Sequence, residues 1–249
     1  MPKRLMINRA DYTRPVSKLL DHGSITGDAE ETDQWFDYVG HYGFSEDDVP
    51  ALISLAGETD TAGGKRSESY APIHACRALG QLGDAGADLY LANLIDDTSS
   101  DQLIENAIIA LSMLGQGSLS VLKRRFEWLD ISEHSQIEVV NAFLTFAQQH
   151  PHCRDECVAF LSQILSNCSQ HSAMLNGFVV YNLIELGATE AAEVIERAFE
   201  AKQVNEDVSG RWTDVQIQLG LARAGDFALK DLMYAGELYY HPALDDNAE

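Results

Sequence analysis

Apolar side chains recur along most of this chain at the three- and four-residue spacing that places them on one face of an α-helix. Residues 104–114 follow that spacing through isoleucine, alanine and leucine positions. A phrase that ends in Leu-Gly closes such a pattern three times, at 78–83, 110–115 and 181–187, and the first two copies lie 32 residues apart. A period of this size is typical of repeated helical units.

Each closing phrase is followed by a second helical pattern, so the sequence predicts helix pairs that bury their apolar faces only against neighbouring pairs. The predicted fold is all-α, an α-solenoid in which HEAT-like helix pairs form a right-handed superhelix between non-repeat N- and C-terminal caps. The predicted divisions are an N-terminal cap at 1–43, helical repeats at 44–201, and a C-terminal cap with an acidic tail at 202–249.

Glycine and proline mark the predicted helix ends. Gly83, Gly115 and Gly187 stand where a helix must stop, and glycine readily adopts the left-handed conformation of a C-cap. Pro151 serves in their place after the third repeat helix. Ser135, three residues before a glutamate, predicts a capping box at the start of that helix.

The charge balance restricts the classes of partner. The chain has 17 basic and 39 acidic residues, a net charge of −22 with histidine neutral. Such a field repels phosphate backbones and anionic lipid headgroups, so nucleic acid and membrane surfaces are excluded, and a basic protein patch is favoured. The short basic run 123–125 predicts a solvated helix face.

The cysteines and the apolar runs bear on localisation. The four cysteines include three within sixteen positions inside helical patterns, which is not the framework of a small secreted domain. No apolar run approaches the roughly 18 residues that a membrane-spanning helix needs. These features predict a cytoplasmic protein with reduced thiols.

The segment at 75–83, Ala-Cys-Arg-Ala-Leu-Gly-Gln-Leu-Gly, resembles HEAT repeats, in particular the HEAT-like units of phycobiliprotein lyases. The resemblance extends over about residues 44–201 and, at 175–178 and 212–215, to bacterial HEAT-like proteins of unassigned function. It implies that the helix ending in Leu-Gly is the second of its pair and lines a concave surface. The Val-Arg that is usual near the start of that helix is absent here, where Pro72-Ile73 and Ile104-Glu105 stand instead.

A polar residue followed by a small one recurs near the middle of the repeat helices. Six residues are the predicted binding ladder of the concave face: His74, Arg77, Asn106, Asn141, Asn176 and Tyr181. One interpretation is structural, because buried amides need hydrogen-bond partners within the stack. The other is a row of hydrogen-bonding groups that receives a ligand.

No motif in the sequence indicates catalysis. It contains no Gly-x-Ser-x-Gly elbow, phosphate loop or HExxH pattern. Cys153 and Cys157 lie one helical turn apart after two histidines, yet no second ligand pair at zinc-site spacing accompanies them. No cofactor and no metal site are predicted.

The predicted function is therefore that of a non-enzymatic scaffold or adaptor, which binds a partner protein on an acidic concave helical surface. Two alternatives stay open. Some HEAT-like proteins attach or isomerise bilins on phycobiliproteins, so the resemblance also implies an accessory role of that kind, with His74 as an assisting group. A metal-responsive helical module built on Cys153 and Cys157 is the third hypothesis.

Overall fold

The structure is a computed structural model that describes residues 6–26, 28–29, 31–58, 68–96, 100–128 and 131–232. These residues form helices, short 3-10 turns and loops, without a β-strand, so the fold is all-α. None of the described helices is long and apolar enough to cross a membrane. The predicted acidic tail, at the end of the C-terminal cap, lies outside the described residues.

Twelve α-helices occur in the described part of the chain. They are α1 (Tyr38–Tyr42), α2 (Val49–Ala56), α3 (Ala71–Leu82), α4 (Asp88–Leu94), α5 (Asp101–Met113), α6 (Leu119–Phe126), α7 (Glu133–Gln149), α8 (Arg154–Ser166), α9 (Ala173–Glu185), α10 (Ala192–Glu200), α11 (Glu206–Ser209) and α12 (Trp212–Gln218). A 3-10 turn leads directly into each of α2, α4, α6, α8 and α10. A 3-10 turn, Glu68–Tyr70, also leads directly into α3, whereas the serines Ser100 and Ser172 precede α5 and α9.

The chain divides into two compact units, residues 1–149 and 150–249. In the first unit each odd-numbered helix packs against the even-numbered helix before it: α3 on α2, α5 on α4 and α7 on α6. The odd-numbered helices also pack in succession, α3 on α5 and α5 on α7, and α4 packs on α6. Helix pairs therefore lie side by side in this unit.

The second unit repeats the same pairing. Helix α9 packs on α8, and α8 packs on α10. The short α11 lies against α9, and α12 contacts α10. The core of this unit comes from the inward faces of α8, α9 and α10, where Leu161, Leu183 and Ile195 are fully buried.

Glycines end α3 and α9 in the predicted way. Gly83 has φ +68° and Gly187 has φ +57°, both in the left-handed region. Gly115 departs from the prediction: its φ of +96° and ψ of −176° lie outside the left-handed helical region, in a region open almost only to glycine. After α7, which ends at Gln149, Pro151 opens a 3-10 turn in place of a glycine cap.

Serine side chains cap two of the repeat helices from the residue before the helix. Ser100 and Ser172 accept hydrogen bonds from the backbone N–H of Leu103 and Leu175. The predicted capping box at Ser135 is wrong, because α7 already begins at Glu133 and Ser135 is a buried residue inside it. The hydroxyl of Ser132 accepts the hydrogen bond from the Ser135 N–H and takes the capping position.

A glycine sets the close approach of α3 and α5. A Cβ at Gly80 would lie 2.9 Å from the Ala110 Cα and 3.1 Å from the Met113 Sδ. Such contacts are sterically forbidden without a shift of the backbone. The first glycine of the phrase at 78–83 is therefore a packing residue, whereas the second, Gly83, is a helix cap.

Candidate functional site

A cavity with a volume of about 350 Å³ lies between α5 and α7 in the first unit. Two helices supply its lining, which we call the α5–α7 pocket: Asp101, Ile104, Glu105, Ile108 and Ile109 from α5, and His134, Glu138, Asn141 and Thr145 from α7. A cavity of this size is at the lower end of the range for ligand sites. It has room for one or two amino-acid side chains.

The lining is divided between an apolar floor and a polar rim. The floor consists of Ile104, Ile108 and Ile109, which are only 2%, 6% and 3% exposed. Asp101, Glu105 and His134 are exposed, and the α7 residues Glu138, Asn141 and Thr145 are half-buried. We call Asp101, Glu105 and Glu138 the acidic rim.

Helical periodicity places the polar residues of α7 at the pocket. His134, Glu138, Asn141 and Thr145 follow one another at intervals of four, three and four residues, so they share one helix face. On α5, Asp101, Glu105 and Ile108 are related in the same way. Both faces begin near a serine-capped N-terminus, where Asp101 lies in the first turn of α5 and meets the positive end of the helix dipole.

Glu138 is the most perturbed acid of the pocket. Burial raises its pKa above the usual value of 4.5, and the nearby charge of Asp101 raises it further. His134 and a hydrogen bond with Asn141 act in the opposite direction, and burial prevails. A cation in the pocket would favour the ionised form, because opposite charges stabilise each other in a partly desolvated site.

His74, the first predicted ladder residue, is completely buried on α3. Its Nδ1 lies 2.7 Å from the Tyr38 hydroxyl and its Nε2 lies 3.0 Å from the Gly23 carbonyl oxygen. The carbonyl can only accept, so Nε2 donates and Nδ1 accepts from Tyr38. Burial lowers the pKa of His74 to about 4. Both ring nitrogens are engaged inside the unit, which leaves neither for proton transfer to a ligand.

Arg77 and Asn106, the next two ladder residues, are bound to each other. The Arg77 Nε donates to the Asn106 Oδ1 at 2.7 Å, and Nη1 donates to the Thr26 carbonyl at 2.7 Å. The guanidinium also lies over the ring of Trp35, 4.5 Å from its centroid. Both residues are 1% exposed. Their contacts are of the structural kind that the sequence analysis left open.

A further residue of α3, which the sequence analysis did not single out, completes this arrangement. Gln81 donates to the Phe36 carbonyl and accepts from the Tyr38 N–H, both at 2.9 Å. His74, Arg77 and Gln81 share one face of α3 and hold three carbonyl groups of the segment 22–38, which we call the N-terminal strap. Ala29 and Trp35 of the strap also pack on Ile109 of α5. The strap therefore covers the face of α3 on which the ladder was predicted.

The N-terminal strap and the α5–α7 pocket meet at Ile109 of α5. Ile109 takes part both in the cluster with Trp35 and in the lining of the α5–α7 pocket. Of the six predicted ladder residues, Asn141 alone lines this pocket among the described residues. The sequence pattern thus predicted one residue of the site. It did not predict the acidic rim, because the acids lie on two helices and are separated by up to 37 positions in the sequence.

The two ladder residues of the second unit have different environments. Asn176 is fully buried, and its Nδ2 donates to the carbonyl oxygens of Cys168 and Gln203 at 3.0 and 2.7 Å. Tyr181 is 42% exposed, and burial of its ring raises the pKa of its hydroxyl. Tyr181 lies on the exposed face of α9, whereas Asn176 faces the core.

The cysteines and the basic run contribute no site to the described part of the chain. Cys153 and Cys157 are fully buried, and burial raises the pKa of the Cys153 thiol, which disfavours the thiolate that binds zinc. No group of three possible metal ligands occurs among the described residues. In the run 123–125, the prediction of a solvated face is wrong for Arg125, which is 3% exposed, pairs with Asp96 and lies over the ring of Trp128.

Comparison with known proteins gives a family but no activity. No curated protein and no solved structure matches this chain. A family model described as "Protein of unknown function (DUF1186)" matches residues 92–233, more than half of the chain, and this range includes every residue that lines the α5–α7 pocket. The chain belongs to the DUF1186 family.

Proposed function

We propose that the chain is a protein-interaction scaffold, an α-solenoid of HEAT-like helix pairs in which the α5–α7 pocket receives a basic segment of a partner protein. The observation that carries the proposal is the pocket itself, an apolar cavity whose rim holds three carboxylates from two adjacent helices. The net charge of −22 adds an attractive field for a basic partner.

The packing of the first unit supports the repeat architecture. HEAT-like pairs require each odd-numbered helix to pack on the preceding even-numbered helix and on the next odd-numbered one, and within this unit α3 and α5 do both. A repeat stack needs an atypical first unit, because an unfinished stack exposes an apolar face. The N-terminal strap fits that role through its contacts with His74, Arg77 and Gln81.

The position of the strap supports the choice of the pocket as the binding surface. The strap occupies the face of α3, so the open part of the odd-numbered helix faces in this unit lies at α5 and α7. The polar groups there are on exposed or half-buried positions, and acceptors outnumber donors among them. Carboxylate and amide oxygens on an exposed rim suit lysine and arginine side chains.

Affinity purification with matched charge variants tests this function. The pocket variant carries Asp101→Asn, Glu105→Gln and Glu138→Gln, and the control carries Glu193→Gln, Glu196→Gln and Glu200→Gln on the exposed face of α10. Both variants remove three negative charges. We expect the wild-type protein and the control to retain the same identified basic partner, and the pocket variant to lose it. Equal recovery by both variants would show that the pocket is not the binding surface.

A further inference from the structure

The order of the apolar and charged groups in the α5–α7 pocket restricts the partner segment further than charge alone. A basic side chain that enters first would bring its charged end to Ile104, Ile108 and Ile109, which offer it no hydrogen-bond acceptor. Burial of an unpaired charge against an apolar surface is strongly unfavourable. The floor therefore suits an apolar side chain, and the basic groups belong at the rim.

We infer that the pocket recognises an amphipathic basic segment: one apolar anchor residue that fills the floor, with lysine or arginine on both sides of it to meet the acidic rim. This inference rests on the proposed function and names the class of sequence that the site takes. The acids stand on both helices, Asp101 and Glu105 on α5 and Glu138 on α7, so basic residues on the two sides of the anchor each meet a carboxylate.

The size of the cavity agrees with a single anchor. About 350 Å³ is enough for a leucine, methionine or phenylalanine side chain together with part of the backbone that carries it. The contact of Trp35 and Ala29 with Ile109 shows that the strap fills an adjoining part of the same α5 face with apolar side chains. An apolar anchor in the pocket would extend this packing along α5.

The charges around the floor also oppose other ligands. A phosphate or a free carboxylate would meet Asp101, Glu105 and Glu138 within the same rim. His134 is the one cationic side chain of the lining once it is protonated, and it is exposed at the edge of the pocket. An acidic peptide is therefore the least favourable occupant, and it serves as the negative control.

The experiment measures the affinity of the full chain for short fluorescein-labelled peptides by fluorescence anisotropy. The probe is acetyl-Gly-Lys-Lys-Leu-Lys-Lys-Gly-amide, and the anchor-deleted probe has serine in place of leucine. The acidic probe has glutamate in place of every lysine. We expect the leucine probe to bind about tenfold more tightly than the serine probe, since burial of most of a leucine side chain is worth about that factor.

Two variants locate this difference in the pocket. Thr145→Trp fills the cavity from a half-buried position on α7 and leaves the charges unchanged. Ser162→Trp makes the same kind of substitution at a half-buried helical position of α8 and is the control. We expect Thr145→Trp to bind the leucine and serine probes with about equal affinity, and Ser162→Trp to keep the preference for leucine. The helical circular dichroism signal should be unchanged in both variants.

The outcomes separate this inference from the proposed function. If the leucine and serine probes bind with equal affinity, and both lose binding when the acidic rim is neutralised, the inference of an apolar anchor is overturned. That result agrees with the proposed acidic binding surface. Absence of binding by every basic probe overturns both. A preference for leucine that survives in Thr145→Trp also overturns the inference, because the anchor would then lie elsewhere.

Discussion

Single buried polar residues in this protein connect distant parts of the chain. His74 joins α3 to Tyr38 and Gly23, residues that are 36 and 51 positions away. In the neutral ring, Nε2 donates to the Gly23 carbonyl and Nδ1 accepts from the Tyr38 hydroxyl. Burial lowers its pKa from 6.5 to about 4, so the folded state resists protonation in a range where the unfolded chain accepts a proton.

The titration of His74 predicts a loss of stability in mild acid. Between pH 6.5 and about 4 the unfolded state binds more protons, so the free energy of unfolding falls as the pH falls. The contribution of His74 is fully present above pH 6.5 and amounts to about 3 kcal/mol at most. We expect the stability advantage of the wild type over His74→Gln, measured by urea unfolding, to shrink over this range.

His22 provides a background that both proteins share. Its ring lies 4.5 Å from that of His74, and burial lowers its pKa as well. It is present in the wild type and in His74→Gln, so the difference between them reports the titration of His74 together with its charge coupling to His22. A difference that stays constant from pH 7 to pH 4 would contradict the assignment to His74.

Glu138 gives the affinity of the pocket for a basic peptide a predicted dependence on pH. A bound basic peptide stabilises the carboxylate, whose pKa burial raises in the free protein. We expect the affinity for the leucine probe to rise with pH as this carboxyl ionises, because only the ionised form attracts lysine.

Comparison with Glu138→Gln isolates the contribution of this carboxyl group. This variant keeps His134 and loses the titrating carboxyl, so we expect weaker binding and a smaller rise of affinity with pH just above the ordinary carboxyl range. The measurement is fluorescence anisotropy with the same labelled peptide at a series of pH values. An identical pH profile for the wild type and Glu138→Gln would remove Glu138 from the binding surface.

At the scale of the helices, contact between α3 and α5 depends on the absence of a side chain at Gly80. A methyl group there would lie 2.9 Å from the Ala110 Cα, which is backbone and cannot rotate away. We expect Gly80→Ala to lower the free energy of unfolding by about 1–3 kcal/mol through overpacking. Denaturant unfolding of the wild type and Gly80→Ala measures this change in the free energy of unfolding.

Gly117 offers a matched control for this substitution. It lies in the 3-10 turn before α6, its φ is not positive, and a Cβ there has no neighbour within 4 Å. We expect Gly117→Ala to change stability by less than about 0.5 kcal/mol. If Gly80→Ala were as well tolerated as Gly117→Ala, the close approach of α3 and α5 would not be a constraint on the fold.

The helices of the repeats could be predicted from the sequence because their signals are local. The closing phrases at 78–83 and 181–187 predict the ends of α3 and α9, and the structure places Gly83 and Gly187 at those ends. The start of α7 was misassigned because Ser132 and Ser135 are both plausible caps, and the pattern that follows does not distinguish them. Local chemistry leaves such alternatives within one helical turn.

The sequence predicts an N-terminal cap at 1–43 but not the contacts of the strap within it, because their partners on α3 lie 45 to 51 positions away. The pattern on α3 correctly marked His74 and Arg77 as unusual polar positions, but it could not show that the chain itself occupies them. Burial of Arg125 was missed for a similar reason, since its partner Asp96 lies on the preceding helix pair. Only Asn141 joined the predicted ladder to the pocket.

At the scale of the whole chain, the net charge of −22 has opposite effects on folding and on binding. Salt screens the repulsion among the acidic residues of the folded protein, so we expect the thermal midpoint to rise with ionic strength. Salt also screens the attraction between the acidic rim and a basic peptide, so we expect affinity to fall over the same range. A binding affinity that is insensitive to salt would be inconsistent with a charged rim.

The central claim is that an apolar anchor residue of a basic segment binds in the α5–α7 pocket. The most direct test is to locate the residues of the protein that the anchor residue of the peptide contacts. The probe peptide is prepared with photo-leucine in place of leucine, irradiated with the full chain, and the crosslinked residues are located by mass spectrometry. We predict adducts on the pocket lining of α5 and α7, at Ile104, Ile108, Ile109 or Thr145, that disappear in Thr145→Trp. Adducts concentrated on the exposed face of α9, at Met174 or Tyr181, would contradict the claim.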